Sequence, residues 1–160
     1  MRPGLFRWIM NLWPPYRGAG VRVREIAPDW RYVRVDLVAT LLNRNYVGVH
    51  FGGSLFSMAD PFLMLMYIKA LGPDYVVWDH SASIRFVRPG RGTVTAEFRL
   101  DEAMLEEVRA ATSAGERYLK THVVEVFDQQ GELVARIERT VYVRRKAPVH
   151  DGAGSSDSGR

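Results

Sequence analysis

Residues 53–71 read GSLFSMADPFLMLMYIKAL, with a single acid, Asp60, and a single base, Lys69. The length of this apolar segment predicts a helix rather than a strand, and Gly72-Pro73 closes it. Its most strongly apolar part, Leu55 to Ile68, contains Asp60 and falls short of the roughly 18 residues a bilayer span requires. A helix that is apolar around most of its circumference must be buried on most sides. In a chain of 160 residues only a curved sheet wrapped around it can achieve that.

The flanking segments supply such a sheet. Val21 and Val23, then Val33, Val35, Leu37 and Ala39, recur with period two on either side of Pro28-Asp29 and predict a hairpin. Tyr75 to Arg88 is rich in strand formers. It is followed by the turn Gly90-Arg91-Gly92 and by the alternating Val94, Ala96, Phe98 and Leu100, which predicts a second hairpin. Asp101 to Ala114 fits a short helix with Asp101 as N-cap, one face of Met104, Leu105, Val108 and Ala111, and Gly115 beyond its end. Tyr118 to Phe127 and Leu133 to Val143 flank Asp128-Gln-Gln-Gly131 as a third hairpin, whose second arm turns Leu133, Ala135, Ile137, Val141 and Val143 inward. The fold class expected is α+β, an antiparallel sheet of about six strands around one long helix.

Composition narrows the chemistry. With 47% hydrophobic and 25% charged residues the chain has the balance of a folded domain. The absence of cysteine removes disulfides, thiolate nucleophiles and Cys-ligated metals, and four scattered histidines suggest no metal site and no cofactor. The net charge is +4, and Arg2, Arg7, Arg17, Arg22 and Arg24 all precede the first acid, Glu25, a bias towards an anionic ligand or surface. Most other arginines alternate with acids along the expected strands without interleaved aromatics, which argues against nucleic acid.

Residues 1–16 form an expected amphipathic helix, 17–146 the main domain, and 147–160 a polar, glycine-rich tail. From Leu5 to Trp13 the two polar residues, Arg7 and Asn11, are four apart and share one stripe, and Pro14-Pro15 stop the helix. The expectation is that it packs on the main domain; a lid over an apolar ligand or a foot on a membrane surface are the alternatives. The polar interruptions and the lack of a small-residue cleavage site argue against a targeting sequence. The expected setting is the cytoplasm, without stable membrane insertion.

Three motifs in order carry a resemblance. Asn45-Tyr-Val-Gly48-Val-His50-Phe-Gly52-Gly53-Ser-Leu-Phe-Ser-Met-Ala-Asp60 resembles the loop and helix of hotdog-fold acyl-CoA thioesterases of the phenylacetate-pathway type. Ser83-Ile-Arg-Phe-Val-Arg-Pro89 with Gly92-Thr-Val-Thr-Ala96 resembles the strand that follows, and Val124 to Ala135 the closing hairpin. The likeness spans about Val21 to Val143 and is closest to an uncharacterised branch of that superfamily. It implies hydrolysis of an acyl-CoA or related thioester, no cofactor, and a homodimer or dimer of dimers, in keeping with the exposed edges of an open sheet. Two departures stand out. Phe51 separates His50 from the paired glycines, and Pro61 follows Asp60 where the resembling enzymes usually lack a proline.

Gly52-Gly53 opens the helix, where the first N–H groups have no internal partners, so Gly53 is the candidate oxyanion donor and Gly52 a substrate contact; a tight turn is the other account of both. Asp60, alone among acids between Asp36 and Asp74, stands amid Phe56, Met58, Phe62 and Met64. It is the candidate base or nucleophile. Asp-Pro is equally the pattern of an N-cap and first helical proline, in which case Asp60 starts a second helical segment. His50 and Asn45 are candidate catalytic residues, with a structural histidine and an Asx-turn as the alternatives. Met58, Phe62 and Met64 line an acyl tunnel or form plain core. Arg85, Arg88 and Arg91 suit the phosphates of CoA or a solvated strand end. The alternatives to hydrolysis are a noncatalytic module that binds an acyl chain or lipid, and a hotdog dehydratase or hydratase.

Overall fold

The computed structural model describes residues 1–147; apart from Ala147, the expected tail lies outside them. Helices α1 (Pro3–Leu12) and α2 (Pro14–Ala19) are followed by strands β1 (Val21–Ile26) and β2 (Tyr32–Val38). A loop leads to α3 (Gly52–Ser57) and α4 (Phe62–Leu71), then β3 (Tyr75–Phe86), β4 (Thr93–Arg99), α5 (Glu102–Ala111), β5 (Arg117–Asp128) and β6 (Leu133–Arg145). The six strands form one antiparallel sheet in the order β1-β2-β4-β5-β6-β3. It wraps around α3–α4 in the hotdog arrangement. Val33, Val35 and Leu37 of β2, Val94, Ala96 and Phe98 of β4, and Ile137, Val141 and Val143 of β6 are buried with Met58, Phe62, Leu63, Met66 and Tyr67 in one core.

The hairpins expected for β1–β2 and β5–β6 form. The one expected for β3–β4 does not. β4 already pairs with β2 on one side and β5 on the other, and β3 crosses to the far edge to pair with β6 from Tyr75↔Arg145 to Phe86↔Ala135. Alternation reports which side chains point inward and is silent on the partner strand. Asp101 caps α5 as expected, its carboxylate accepting the Met104 amide at 2.8 Å.

The central helix is interrupted. Pro61 has no N–H to donate to Ser57, and the chain tightens instead: the Ala59 amide bonds Phe56 O and the Asp60 amide bonds Ser57 O, each at three-residue spacing, before Leu65 N→Pro61 O opens the second segment. The Asp60–Pro61 peptide is cis. The stretch Gly52–Leu71 has the length and mean hydropathy, 1.3, of a bilayer span. Its break at residues 58–61 and the sheet packed around its buried residues make it a core helix. At the amino end Pro14-Pro15 stop α1 and also occupy the first turn of α2.

Candidate active site

The paired glycines are the first two residues of α3, and the Ser54 and Leu55 amides both turn back to the Phe51 carbonyl, at 3.0 and 3.2 Å. Among the described residues the Gly52 and Gly53 amides have no backbone partner. A Cβ on Gly53 would stand 2.4 Å from the Phe51 ring, and one on Gly52 would stand 2.9 Å from the Phe86 ring, so two aromatic rings lie directly against bare backbone.

Three cavities meet this glycine pair, and the candidate residues lie on two of them. The first, about 610 Å3, is lined by Gly53, Phe56, Ser57 and Asp60 from the central helix, by Trp13, Pro15 and Tyr16 from the amino-terminal helices, by Asp79 to Ala82 of β3, and by Arg139 of β6. Asp60 reaches it because the helix breaks there. Its carboxylate is not a cap, since α4 begins without a side-chain cap. Oδ1 accepts from Arg139 Nη2 at 2.7 Å, Oδ2 has no protein partner, and the side chain is 52% exposed. The expectation of a carboxylate surrounded by grease is thereby corrected. Asp60 faces an open cavity and is countered by a guanidinium that is itself only 4% exposed.

Arg139 also holds Asp79, Nη2 lying 2.9 Å from Oδ2. One cation thus stands between two acids. Burial raises the Asp79 carboxyl above the usual carboxylate range, Arg139 pulls it down, and the charge of Asp60 adds to the upward push. Asp79 Oδ1 and Arg139 Nε are buried without partners, so the cluster is under-satisfied where it meets the cavity. The Tyr16 hydroxyl donates to the backbone carbonyl of Asp60 and fixes the break from the other side. Burial and the Asp60 charge raise the Tyr16 hydroxyl well above its usual range, so it stays a donor.

The second cavity, about 430 Å3, is lined by Asn45, His50, Gly52, Leu55 and the segment Phe86 to Gly90. Its polar side chains are engaged, save that His50 Nδ1 is buried without a partner. Asn45 Oδ1 accepts the Val47 and Val49 amides at 3.2 and 3.1 Å, an Asx-turn. His50 is buried, with Nε2 3.0 Å from the Gly92 carbonyl, and burial lowers its pKa. Arg88 pairs with Glu132 at 2.6 Å.

Of the residues singled out in the sequence, Gly53 and Asp60 are brought to one cavity, while Gly52, Asn45, His50 and Arg88 line the other. Met58 and Phe62 are fully buried core, Phe62 lying between the Tyr16 and Phe98 rings with centroids 6.2 and 5.2 Å away, and Met64 is partly buried; none of the three lines either cavity. The apolar wall beside Asp60 comes from Trp13, Pro15, Phe56 and Ala82 instead. Arg85 pairs in register with Arg136, which lies on the outer face of the sheet, and Arg91 is exposed in the turn. The three arginines are not gathered around Asp60. Sequence reasoning missed Arg139, Asp79, Tyr16 and Trp13. Arg139 did carry a signal, because it holds an inward position between Ile137 and Val141, where a charge needs a partner.

The architecture places the protein among hotdog-fold proteins. Its sequence matches, over residues 3–143, the family described as Domain of unknown function (DUF4442), and the chain belongs to that family. No curated protein matches it. Among solved structures it is similar to the Pseudomonas aeruginosa protein PA5026, a probable thioesterase, at 21% identity and a TM-score of 0.76, with 89% of this chain and 95% of that one covered. It is similar to the thioesterase HI1161 of Haemophilus influenzae at 13% identity and a TM-score of 0.65, covering 94% and 95%. The Escherichia coli PaaI protein of the phenylacetic acid degradation operon follows at 18% and 0.56, covering 83% and 84%. At these identities the likeness establishes the fold.

Proposed function

We propose that the protein hydrolyses acyl thioesters, with acyl-CoA as the substrate class, in the cavity shared by Asp60 and Gly53. The observation that carries this reading is the meeting of a half-exposed carboxylate and an unpaired helix-opening amide on one cavity. In this scheme Asp60 Oδ2 takes the proton of a water attacking the thioester carbonyl, the Gly53 N–H receives the developing oxyanion, and the thiolate leaves as the tetrahedral intermediate collapses. Arg139 acts as a positioning residue. It fixes Oδ1 so that Oδ2 faces the cavity. The apolar wall of Trp13, Pro15, Phe56 and Ala82 receives the acyl group. A second copy pairing along edge strand β3, in the cytoplasm, completes the proposal, since β3 has twelve residues and one unpaired edge.

The test is thiol release from aryl, medium-chain and long-chain CoA thioesters by wild type and Asp60→Asn. The reading expects turnover that falls by about 10²–10⁴-fold in the variant, the range for loss of a general base. Turnover unaffected by the substitution removes Asp60 as base. No release from any thioester replaces the hydrolase with an acyl-binding module.

A further inference from the structure

Helix α1 packs on the sheet through its polar stripe. Its polar residues face the protein: Asn11 Nδ2 donates to Val23 O at 3.0 Å and Asn11 Oδ1 accepts Val23 N at 2.8 Å, so one side chain serves as strand partner to edge strand β1. Arg7 Nη1 donates to Arg24 O at 2.8 Å. Phe6 and Met10 complete this inner face, Phe6 against Trp30 with centroids 5.2 Å apart. What remains outward is Leu5, Trp8, Ile9, Leu12 and Trp13, an unbroken apolar stripe in which Trp8 is 62% exposed. The helix packs on the main domain and leaves this face bare.

A second apolar projection lies beside it. In the loop after β2, Leu42 is 93% exposed, and Phe51 and Tyr46 are also exposed. Leu42 and Phe51 line a further hollow with Pro15 and Gly18 of α2, while Pro15 and Trp13 line the Asp60 cavity, so the helix stripe, the loop and the cavity mouth are continuous. The segments that carry the stripe and the loop hold charge of one sign, while Asp60 and Asp79 stand in the cavity they border. Residues 1–24 and 37–59 contain no acid, and Arg2, Arg17 and Arg44 are exposed within them.

We infer that this face docks on the surface of an anionic lipid bilayer. Tryptophans within an apolar stripe flanked by arginines suit the headgroup boundary, where the rings bury their apolar bodies and the cations meet phosphates. A second copy docked through the same face would set like charges against each other, whereas lipid phosphates neutralise Arg2, Arg17 and Arg44. The inference goes beyond the hydrolase reading and does not depend on it. Where both hold, the mouth of the cavity opens at the surface where acyl chains partition.

The experiment is co-sedimentation of the full chain with vesicles of phosphatidylcholine alone and of equal parts phosphatidylcholine and phosphatidylglycerol, with sedimentation velocity on the protein by itself. Wild type is expected to pellet with the anionic vesicles, less so in high salt. Trp8→Glu with Leu12→Glu should weaken partitioning at least about tenfold with an unchanged melting temperature. If that variant does not fold, Arg2→Gln with Arg17→Gln and Arg44→Gln carries the test, with a loss of about fivefold per charge. No pelleting with either vesicle overturns the inference, as does equal binding by folded variants. An oligomer that Trp8→Glu/Leu12→Glu dissociates, with no vesicle binding, assigns the face to a second copy and also overturns it.

Discussion

The two cavities that hold the candidate residues beside Gly52 and Gly53 are built from similar materials and differ in what their polar groups are free to do. On the Gly53 side Asp60, Asp79 and Arg139 form a charged cluster with one carboxylate oxygen of Asp60 and one of Asp79 lacking protein partners. On the Gly52 side the Asn45 side chain holds its own loop, His50 Nε2 meets the Gly92 carbonyl while Nδ1 is buried without a partner, and Arg88 is neutralised by Glu132, so no unpaired charge remains. Residues adjacent in one motif therefore part company. Successive positions at the start of a helix point about 100° apart, so consecutive glycines open onto different walls.

The strongest way to break the comparison is to remove the cation. Arg139→Met leaves Asp79 half buried with no counter-charge, and taking one partner from a buried pair costs roughly 3–5 kcal/mol. Asp60 can turn to solvent and Asp79 can protonate, so about 3 kcal/mol is expected from urea unfolding at pH 7. Adding Asp79→Asn should return about half of it. A loss below about 1 kcal/mol would show that the cluster is not held together by Arg139 and would leave Asp60 without its positioning residue.

Protonation provides a second handle, because two of the histidines, His50 and His122, are buried. Burial lowers both His50 and His122, the latter to about 4, and His122 Nε2 lies 3.0 Å from the Tyr67 hydroxyl, with Lys120 lowering it further and Glu107 opposing. The folded state keeps these rings neutral, while the unfolded chain binds protons below its ordinary value of 6.5. Stability is therefore complete above about pH 6.5 and falls as the pH drops towards 4, by at most about 3 kcal/mol from His122. Melting temperatures across this range should trace the decline, and His122→Phe should flatten it. A decline of the same size in the variant would mean that acid acts elsewhere.

Much of the architecture was legible, and the parts that were not share a cause. The apolar run from Gly53 to Leu71 demanded an enclosing sheet, and the turn residues marked every strand. The partner of β3 was hidden, because inward alternation is satisfied equally beside β4 and beside β6. Pro61 announced the break in the helix. Where the Asp60 carboxylate would point depended on Arg139, 79 residues further along the chain. An arginine among inward aliphatic residues of β6 was the available clue. The orientation of α1 was hidden for a related reason: the spacing of Arg7 and Asn11 puts them on one stripe, and which way that stripe faces depends on the unpaired edge of β1 that receives them.

The smallest effect sharpens the comparison most directly. Asn45 Oδ1 accepts two amides and its backbone closes the same loop, with Asn45 N→Val49 O at 2.8 Å and Gly48 N→Asn45 O at 2.9 Å. Asn45→Ala removes the side-chain bonds and keeps the backbone ones, so about 1 kcal/mol of stability should be lost, the usual worth of such a turn contact. Asn45→Asp retains an accepting oxygen and should recover most of it. Because the amide is occupied within its own loop and lies on the Gly52 side, the rate of thiol release per folded molecule should stay within about twofold in both variants, well under the tenfold that 1.4 kcal/mol at the barrier would produce. A fall beyond tenfold with stability intact would carry the chemistry across the glycine pair into the second cavity, and the distinction between the two would no longer hold.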